Sequence, residues 1–344
     1  MSERALVVTV VFPDPERLWE PEDFSKELER LALSAGTEVA GAVILRPKEP
    51  HPKTLIGQGH AENLRDAAQR ARADTVVLGA ELTASQQRNL EEIIGAKTID
   101  RTQLILDIFA RRARSVEGQI QVELAQLTYL LPRLVGQGII LSRLGGGIGT
   151  RGPGEQKLET NRRRIRERIA HLKKDLKRVA GRRERTRAKR RLGLMPVGAV
   201  VGYTNAGKST LFNALTGASV ISRNQLFSTL DPTVRKIRLE DHEEVLLVDT
   251  VGFLHSLPHH LIEAFKATLE EVTQADFLVH VIDASHPRSE VLEQAAYEVL
   301  EAIGSSQKPT LMILNKMDLL QEKSREFETA LLRRFPGSVQ TSAL

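Results

Sequence analysis

Two periods of apolar and polar positions divide the first third of the chain into strands and helices. Apolar runs of strand length lie at Ala5–Phe12, Val39–Leu45 and Thr75–Leu78. Helical spacing of apolar residues occurs at Pro21–Ala35, His60–Ala73 and Ala84–Ile94, and a further helix is expected near Arg101–Arg114. Strands that alternate with helices predict a small, mostly parallel α/β domain over residues 1–114. Within it, Gly57–Gly59 is better interpreted as a turn into a helix than as a nucleotide-binding turn.

A narrower apolar stripe indicates two later helices. Its members are spaced four, three, four and three residues apart, at Ile120, Leu124, Leu127, Leu131 and Leu134 and again at Ile165, Ile169, Leu172, Leu176 and Val179. This spacing is typical of a two-helix coiled coil. Because neither helix can bury its stripe alone, we predict an antiparallel hairpin over residues 115–192. Pro132 should kink or end the first helix.

A glycine-rich segment joins these two helices. Residues 136–156 form a stretch of 21 residues that includes eight glycines. Loops of this length are usually functional or disordered. We therefore expect the segment to become ordered against a partner surface, with Arg143 and Arg151 among its basic contacts.

The second half of the chain contains a phosphate-binding pattern in the context that it requires. Residues 202–209 fit G-x-x-x-x-G-K-S, and they lie between an apolar run at Val197–Val201 and a helix-like stretch at Thr210–Leu215. Backbone amides of such a loop surround phosphate oxygens, and the helix N-terminus adds partial positive charge. Lys208 is expected to reach the β- and γ-phosphates, and the Ser209 hydroxyl to bind Mg²⁺.

Three further segments in a fixed order specify guanine. Asp249–Gly252 follows an apolar strand, Asn315–Asp318 follows another, and Ser342–Leu344 ends the chain. The Asp318 carboxylate would accept hydrogen bonds from the N1–H and 2-amino groups of guanine, and adenine lacks that amino group. The sequence therefore predicts a GTP site in a GTPase domain with a mostly parallel sheet over residues 193–344. Its last helix is expected beyond Leu344.

We expect the GTP site to involve the four segments together with a polar loop at Phe227–Thr233. The predicted GTP-binding residues are Gly202, Tyr203, Thr204, Asn205, Ala206, Gly207, Lys208, Ser209, Thr210, Phe227, Ser228, Thr229, Leu230, Asp231, Asp249, Thr250, Val251, Gly252, Asn315, Lys316, Met317, Asp318, Ser342, Ala343 and Leu344. The predicted Mg²⁺ ligands are Ser209, a threonine of the polar loop and Asp249, the last directly or through water. On chemistry alone, Thr229 and Thr233 are both candidates for that threonine. Lys208, Gly252 and that threonine are the predicted catalytic residues.

The residue after Gly252 departs from a common GTPase pattern. Many GTPases place a glutamine there to orient the attacking water, whereas this chain has Phe253. A phenyl ring cannot hydrogen-bond water, so hydrolysis should be slow alone and stimulated by a partner. Packing of Phe253 into the core is an equally valid interpretation of the same residue, and the two are compatible.

Composition narrows the class of protein. The chain has 344 residues and no cysteine, which excludes disulfides and thiolate metal sites. Its apolar runs are too short to span a bilayer and its N-terminus does not resemble a signal peptide, so a cytoplasmic protein is expected.

Positive charge is concentrated in one segment. Residues 162–191 contain 16 Lys/Arg and 3 Asp/Glu, although the whole chain has a net charge of only +5. A solvated helix face is the ordinary explanation, but few acidic residues are available to pair with so many cations. A polyanion is the alternative, and the lack of aromatic residues in 136–191 favours phosphates of folded or double-stranded nucleic acid over stacked bases. The predicted nucleic-acid contacts are Arg143, Arg151, Arg162, Arg163, Arg164, Arg166, Lys173, Lys174, Lys177, Arg178, Arg182 and Arg183.

Together these motifs make the chain similar to the HflX family of translation-associated GTPases. The most specific are the segments Gly145–Gly149, Gly152–Thr160 and Asp249–Phe253, and the resemblance covers essentially the whole chain. It implies a GTP/GDP- and Mg²⁺-dependent monomer that binds the large ribosomal subunit through ribosomal RNA, not DNA, and that splits or rescues stalled ribosomes under stress. It also implies that Thr229, rather than Thr233, is the Mg²⁺ ligand. A GTPase switch that acts on a membrane or stress-signalling target is the alternative, although membrane association is expected to be peripheral at most.

Overall fold

The computed structural model describes residues 3–14, 19–134, 153–191, 195–217, 226–227, 229–240, 242–255, 261, 266–320 and 325–343. Within these, the side chains of 153–158, 182–191, 266–268 and 325–327 are not described. The chain divides into two compact units. One comprises Met1–Arg111 and Gln119–Lys177, and the other comprises Arg112–Gly118 and Arg178–Leu344.

The first unit is built on a four-stranded parallel sheet. Its strands are β1 (Arg4–Val10), β2 (Glu38–Leu45), β3 (Thr75–Leu78) and β4 (Lys97–Asp100), in the spatial order β2-β1-β3-β4. The helices between them are α1 (Pro21–Ser34), α2 (Gln58–Ala71) and α3 (Ala84–Ile94). The predicted parallel α/β fold is confirmed, and β4 is a strand that the apolar pattern did not indicate.

Local sequence explains where the helices of this unit begin. Pro21 occupies the first turn of α1, where a missing amide donor costs nothing. Thr83 and Gln86 form a reciprocal capping box at the start of α3. Gly57, with φ of 84°, precedes the first residue of α2, which confirms the helix-entry interpretation of Gly57–Gly59.

A buried carboxylate organises the end of the sheet. Asp100 is fully buried, and it accepts hydrogen bonds from the Leu82 amide at 3.2 Å and from the Gln103 amide at 2.8 Å. The second of these bonds caps α4 (Arg101–Arg112). Asp100 also pairs with Arg133 at 3.2 Å, and the Arg133 guanidinium stacks over the Tyr129 ring. Burial raises the pKa of the Tyr129 hydroxyl above its ordinary value.

The two helices predicted for the hairpin are α5 (Val116–Arg133) and α6 (Pro153–Arg191). Helix α5 ends one residue after Pro132, which confirms the predicted early end. Helix α6 begins at Pro153, inside the predicted loop 136–156; that loop boundary was wrong because proline is favourable in a first helical turn. A bidentate ion pair, with both distances 2.7 Å, joins Glu123 of α5 to Arg168 of α6.

The structure confirms the predicted apolar stripe of α6 but places the most buried face of α5 elsewhere. In α6, Leu172 is buried and Ile165, Ile169, Leu176 and Val179 are half-buried among mostly exposed neighbours, which confirms that stripe. In α5 the residues of the predicted stripe are half-buried, and the buried residues of this helix lie on another face. That face comprises Glu117, Gln121, Val122, Ala125 and Tyr129. Apolar spacing could not reveal it because two of its members are polar.

The second unit contains a six-stranded sheet in the order β10-β9-β8-β5-β7-β6. Its strands are β5 (Val197–Val201), β6 (Thr233–Arg238), β7 (Glu244–Asp249), β8 (Phe277–Asp283), β9 (Thr310–Asn315) and β10 (Val339–Gln340). All neighbouring strands are parallel except β6, which runs antiparallel to β7. The mostly parallel sheet predicted for this domain is therefore confirmed.

The helices of the second unit are α7 (Lys208–Thr216), α8 (Lys266–Gln274), α9 (Ser289–Ala302) and α10 (Arg325–Arg334). Helix α7 starts two residues before the predicted helix-like stretch, so Lys208 and Ser209 of the phosphate-binding pattern form its first turn. No helix in the described part of the chain is long and apolar enough to cross a bilayer.

His280 makes the stability of the second unit sensitive to acid. It lies in β8 with an exposed fraction of 2 %, and burial lowers the pKa of its imidazole from 6.5 to about 4. The unfolded chain therefore binds a proton that the folded chain excludes as the pH falls through 6.5. We predict that the free energy of unfolding decreases by about 2 kcal/mol between pH 7 and pH 5 from this group.

The measurement is denaturant unfolding followed by circular dichroism at both pH values, for the wild type and for His280→Val. The substitution should flatten this part of the pH profile. An equal loss of stability in the variant would show that other groups are responsible.

Candidate nucleotide site

The phosphate-binding loop is held closely against the neighbouring strands. Gly202 and Gly207 have φ values of 139° and 94°. A Cβ atom on Gly202 would lie 2.2 Å from the Val281 carbonyl oxygen, and one on Gly207 would lie 2.1 Å from Asn315 Nδ2. Both positions therefore require glycine.

Four carbonyl oxygens of this loop accept hydrogen bonds, three of them from residues outside the loop. Asn315 Nδ2 donates to the Ala206 carbonyl at 2.9 Å, and Lys316 Nζ donates to the Asn205 carbonyl at 2.8 Å. The Phe253 amide donates to the Gly202 carbonyl at 3.1 Å, and Lys208 Nζ donates to the Tyr203 carbonyl at 2.8 Å. With its carbonyls engaged in this way, the loop offers an anion its amide side and the N-terminus of α7.

Three oxygen-bearing side chains converge beside this loop. The Ser209 hydroxyl donates to Asp249 Oδ2 at 2.8 Å, the Thr229 hydroxyl reaches the same oxygen at 3.0 Å, and the two hydroxyl oxygens are 2.8 Å apart. Asp249 is the last residue of β7 and is fully buried. Burial raises the pKa of its carboxyl, while the hydrogen bond from Ser209 opposes that change.

The donor set fits a small divalent cation. The other carboxylate oxygen, Asp249 Oδ1, is buried and has no hydrogen-bond partner among the described residues. Hydroxyl and carboxylate oxygens are the ligands that Mg²⁺ prefers. The described residues contain no group of three or more His, Cys, Asp or Glu side chains that could hold a metal by themselves. The fit therefore depends on the two hydroxyl groups as well as on the carboxylate.

Lys208 is a buried cation next to these groups. Its exposed fraction is 6 %, and burial lowers the pKa of its ammonium group from 10.5 to about 8. Desolvation of this kind is offset when a phosphate binds. Gly252 lies close to it: an added Cβ would be 2.9 Å from Lys208 Nζ and 2.7 Å from Thr204 Cα. Of the predicted catalytic residues, Lys208 and Gly252 are thus adjacent to each other.

The segment after Asp249 is paired with the phosphate-binding loop through its backbone. The Thr204 amide donates to the Phe253 carbonyl at 2.7 Å, and the His255 amide donates to the Tyr203 hydroxyl at 3.0 Å. The Phe253 side chain has an exposed fraction of 1 %, so the packing interpretation of this residue is confirmed. The side chain at this position offers no hydrogen bond to water.

The two base-recognition segments meet at the end of β9. Asn315 Oδ1 accepts from the Ala343 amide at 3.2 Å, and the Ser342 hydroxyl donates to the exposed Asp318 carboxylate. Lys316 pairs with Asp283 at 2.6 Å. Asp283 was missed by sequence reasoning, although its place at the carboxyl end of β8 was an available signal.

Several other predicted GTP-binding residues make contacts away from the phosphate-binding loop or lie outside the described residues. The Thr250 hydroxyl donates to the Val200 carbonyl at 2.6 Å, within the sheet. Asp231 bonds to the backbone of Arg114 and Ser115, and its contact with nucleotide stays a prediction. Thr233 is the first residue of β6 and lies opposite Asp249 in the strand register. Ser228 and Leu344 lie outside the described residues.

The predicted RNA contacts on α6 form an exposed basic face. Arg163, Arg164, Arg166, Lys173, Lys174, Lys177 and Arg178 are exposed, and Arg162 is half-buried. Glu159 lies 3.6 Å from both Arg162 and Arg166, and Glu167 lies 3.8 Å from Arg163. Arg143 and Arg151 lie outside the described residues, as do the side chains of Arg182 and Arg183. RNA binding by this face stays a prediction.

We predict that Thr229→Val lowers the turnover of GTP by at least about tenfold. The change keeps the volume of the side chain but removes the Thr229 hydroxyl from its hydrogen bonds to Asp249 and Ser209, at a cost of about 1–3 kcal/mol. Thr229→Ser should retain most of the activity, and Thr233→Val is the matched control. Single-turnover hydrolysis checks this, and equal losses in the Thr229→Val and Thr233→Val variants would contradict the assignment of Thr229.

Comparisons with known proteins agree with this geometry. Residues 22–110 match the family model described as GTP-binding GTPase N-terminal, residues 112–190 match GTP-binding GTPase Middle Region, and residues 197–316 match 50S ribosome-binding GTPase. The chain is similar to the GTPase HflX of Caldanaerobacter subterraneus subsp. tengcongensis, with 50 % identity over 93 % of this chain and 74 % of the relative. The GTPase HflX of Escherichia coli is 47 % identical over 93 % of this chain and 74 % of the relative.

Solved structures show the same similarity. The complex of SsGBP with GDP has a TM-score of 0.53 and 26 % identity, and the alignment covers 100 % of this chain and 94 % of that one. A GTP-binding protein from Sulfolobus solfataricus in complex with GDP has a TM-score of 0.50 and 26 % identity, with 100 % and 93 % covered. The chain therefore belongs to the GTPase HflX family, and it is a GTPase with a P-loop nucleotide-binding domain.

Proposed function

We propose that this protein is a cytoplasmic, monomeric GTPase that binds the large ribosomal subunit through ribosomal RNA. In this proposal it splits or rescues stalled ribosomes under stress, and its nucleotide state sets its affinity for the subunit. The observation that carries the proposal is the exposed basic face of α6 in a chain that also contains a complete set of GTPase segments.

The charge on this face is only partly compensated. Arg164, Lys173, Lys174 and Lys177 are exposed and form no ion pair within the part of the chain that the structure describes. Each unpaired cation repels its neighbours along the helix. Phosphate groups would remove this repulsion and release condensed counterions, which favours a nucleic acid as the partner.

The relatives favour RNA of the ribosome over other polyanions. The model that matches residues 197–316 is described as a 50S ribosome-binding GTPase, and that description is consistent with the basic face. The absence of Phe, Tyr and Trp from residues 136–191 argues against base stacking and for phosphate contacts. Double-stranded and folded RNA is recognised mainly through such contacts.

We further propose that Ser209, Thr229 and Asp249 hold Mg²⁺ together with the nucleotide. When bound, the ion would neutralise negative charge on the β- and γ-phosphate oxygens. In the chain itself, Ser209 lies at the start of α7 and Asp249 ends β7. Thr229 lies in the polar loop Phe227–Thr233, which in this proposal is the switch loop. The same three residues would therefore connect the switch loop to the phosphate-binding loop in the GTP state.

Phe253 supports slow hydrolysis that a partner stimulates. Its buried ring contributes no group that could orient water, and its backbone is already paired with the phosphate-binding loop. A group on the ribosomal subunit would have to supply or organise the missing interaction. This coupling would restrict hydrolysis to the bound factor.

The test is co-sedimentation of the protein with large ribosomal subunits, in the presence of GDP or a non-hydrolysable GTP analogue. We predict stronger binding with the analogue and a steep loss of binding between about 50 and 200 mM salt. Reversing three charges, Lys173→Glu, Lys174→Glu and Lys177→Glu, should weaken binding about 100-fold or more and reduce the salt slope by about 3.

The matched control reverses two exposed cations of α2 and the exposed arginine that follows the helix, through Arg65→Glu, Arg70→Glu and Arg72→Glu, and should bind as the wild type does. Equal effects of the two triple variants would indicate a general charge effect and would contradict the assignment of α6. Sedimentation with anionic vesicles but not with subunits would overturn the ribosomal proposal and favour a membrane-associated switch.

A further inference from the structure

We infer that Asp231 is a positioning residue that transmits the nucleotide state of the switch loop to the first turn of α5. This inference goes beyond ribosome binding. It depends on the GTPase site and not on the identity of the partner.

The Asp231 carboxylate binds the chain just before α5. Oδ2 accepts from the Arg114 amide and from the Ser115 amide, each at 2.8 Å, and Oδ1 accepts from the Ser115 hydroxyl. The Ser115 hydroxyl in turn accepts from the Gly118 amide at 2.9 Å. Ser115 is thus an N-cap residue whose hydroxyl is oriented by Asp231. These contacts lie within the second compact unit.

Gly118 provides independent support for this contact. An added Cβ would lie 2.5 Å from Asp231 Oδ1 and 3.1 Å from Ser115 Oγ. Glycine inside a helix costs about 1 kcal/mol relative to alanine. Its φ is not in the left-handed region, so backbone conformation does not require glycine here. The close approach of the Asp231 carboxylate does require it.

Asp231 is coupled to the nucleotide site through Thr229. Only Leu230, which has an exposed fraction of 3 %, separates the two residues. An extended step of two residues spans at most about 7 Å. Thr229 contacts Ser209 and Asp249 in the site, so a displacement of Thr229 must also move the carboxylate that binds Ser115. Switch loops of GTPases are ordered by the γ-phosphate and released after its loss.

The capping of the first turn of α5 therefore depends on which nucleotide is bound. With the switch loop ordered, the Arg114 and Ser115 amides and the Ser115 hydroxyl are all bound by one carboxylate. After release of the loop, these donors return to solvent and the first turn of α5 loses part of its cap. Helix α5 continues beyond Gly118 as the first helix of the hairpin.

Hydrogen exchange on the isolated full chain tests this inference without ribosomes. We expect the amides of residues 114–118 to exchange at least about tenfold more slowly with Mg²⁺ and a non-hydrolysable GTP analogue than with GDP. Asp231→Ala should abolish this difference at an analogue concentration that a separate titration shows to saturate the variant. Asp276→Ala is the matched control, because Asp276 also accepts from a backbone amide, that of Val197 at 2.8 Å, in the same unit.

Equal exchange in the two nucleotide states of the wild type would overturn the inference, as would a difference that survives Asp231→Ala. If Asp231→Ala does not fold, the pair Ser115→Ala and Ser115→Thr decides. The alanine variant should reduce the nucleotide-dependent difference and the threonine variant, which keeps a hydroxyl, should restore it. Equal behaviour of the two Ser115 variants would contradict the role assigned to this cap.

Discussion

The nucleotide site depends on how the carbonyl oxygens of one loop are bound. The carbonyls of Gly202, Tyr203, Asn205 and Ala206 accept hydrogen bonds from Phe253, Lys208, Lys316 and Asn315 respectively. Lys208 belongs to the phosphate-binding segment, Asn315 and Lys316 belong to Asn315–Asp318, and Phe253 directly follows Asp249–Gly252. Asn315 also accepts from Ala343 in the fourth segment. The segments are therefore parts of one hydrogen-bond network that holds the shape of the loop. A loop held by such a network loses less conformational entropy on binding.

This organisation leaves two buried charged groups only partly compensated by the described residues. Lys208 is buried without an ion pair in the described residues, and Asp249 keeps one buried oxygen without a hydrogen-bond partner there. Burial lowers the pKa of the Lys208 ammonium group and raises the pKa of the Asp249 carboxyl group, so it favours the neutral form of each. A bound nucleotide with its cation would offset both desolvation costs. Phe253, which is buried beside the same loop, adds no polar group, and this supports the proposed dependence of hydrolysis on a partner.

Sequence predicted the elements whose signal is local. Thr75–Leu78, Ala84–Ile94 and Val197–Val201 have the predicted boundaries because compact apolar runs or helical spacing define them. The four-residue strand β4 was missed because Lys97–Asp100 is too short to show a period. The buried face of α5 was missed because Glu117 and Gln121 are polar. The bond between Asp231 and Ser115 joins residues 116 positions apart, and no local pattern encodes such a pairing.

The most direct test of the central claim is calorimetric measurement of GDP affinity for Asn315→Asp. This isosteric change replaces the donor to the Ala206 carbonyl with an acceptor, so the loop should lose its shape and the affinity should fall roughly 30-fold or more. Asn89→Asp is the matched control, because it removes an equivalent bond to the Lys53 carbonyl in the first unit. The account predicts unchanged affinity for the control. A folded Asn315→Asp protein that binds GDP as tightly as the wild type would contradict it.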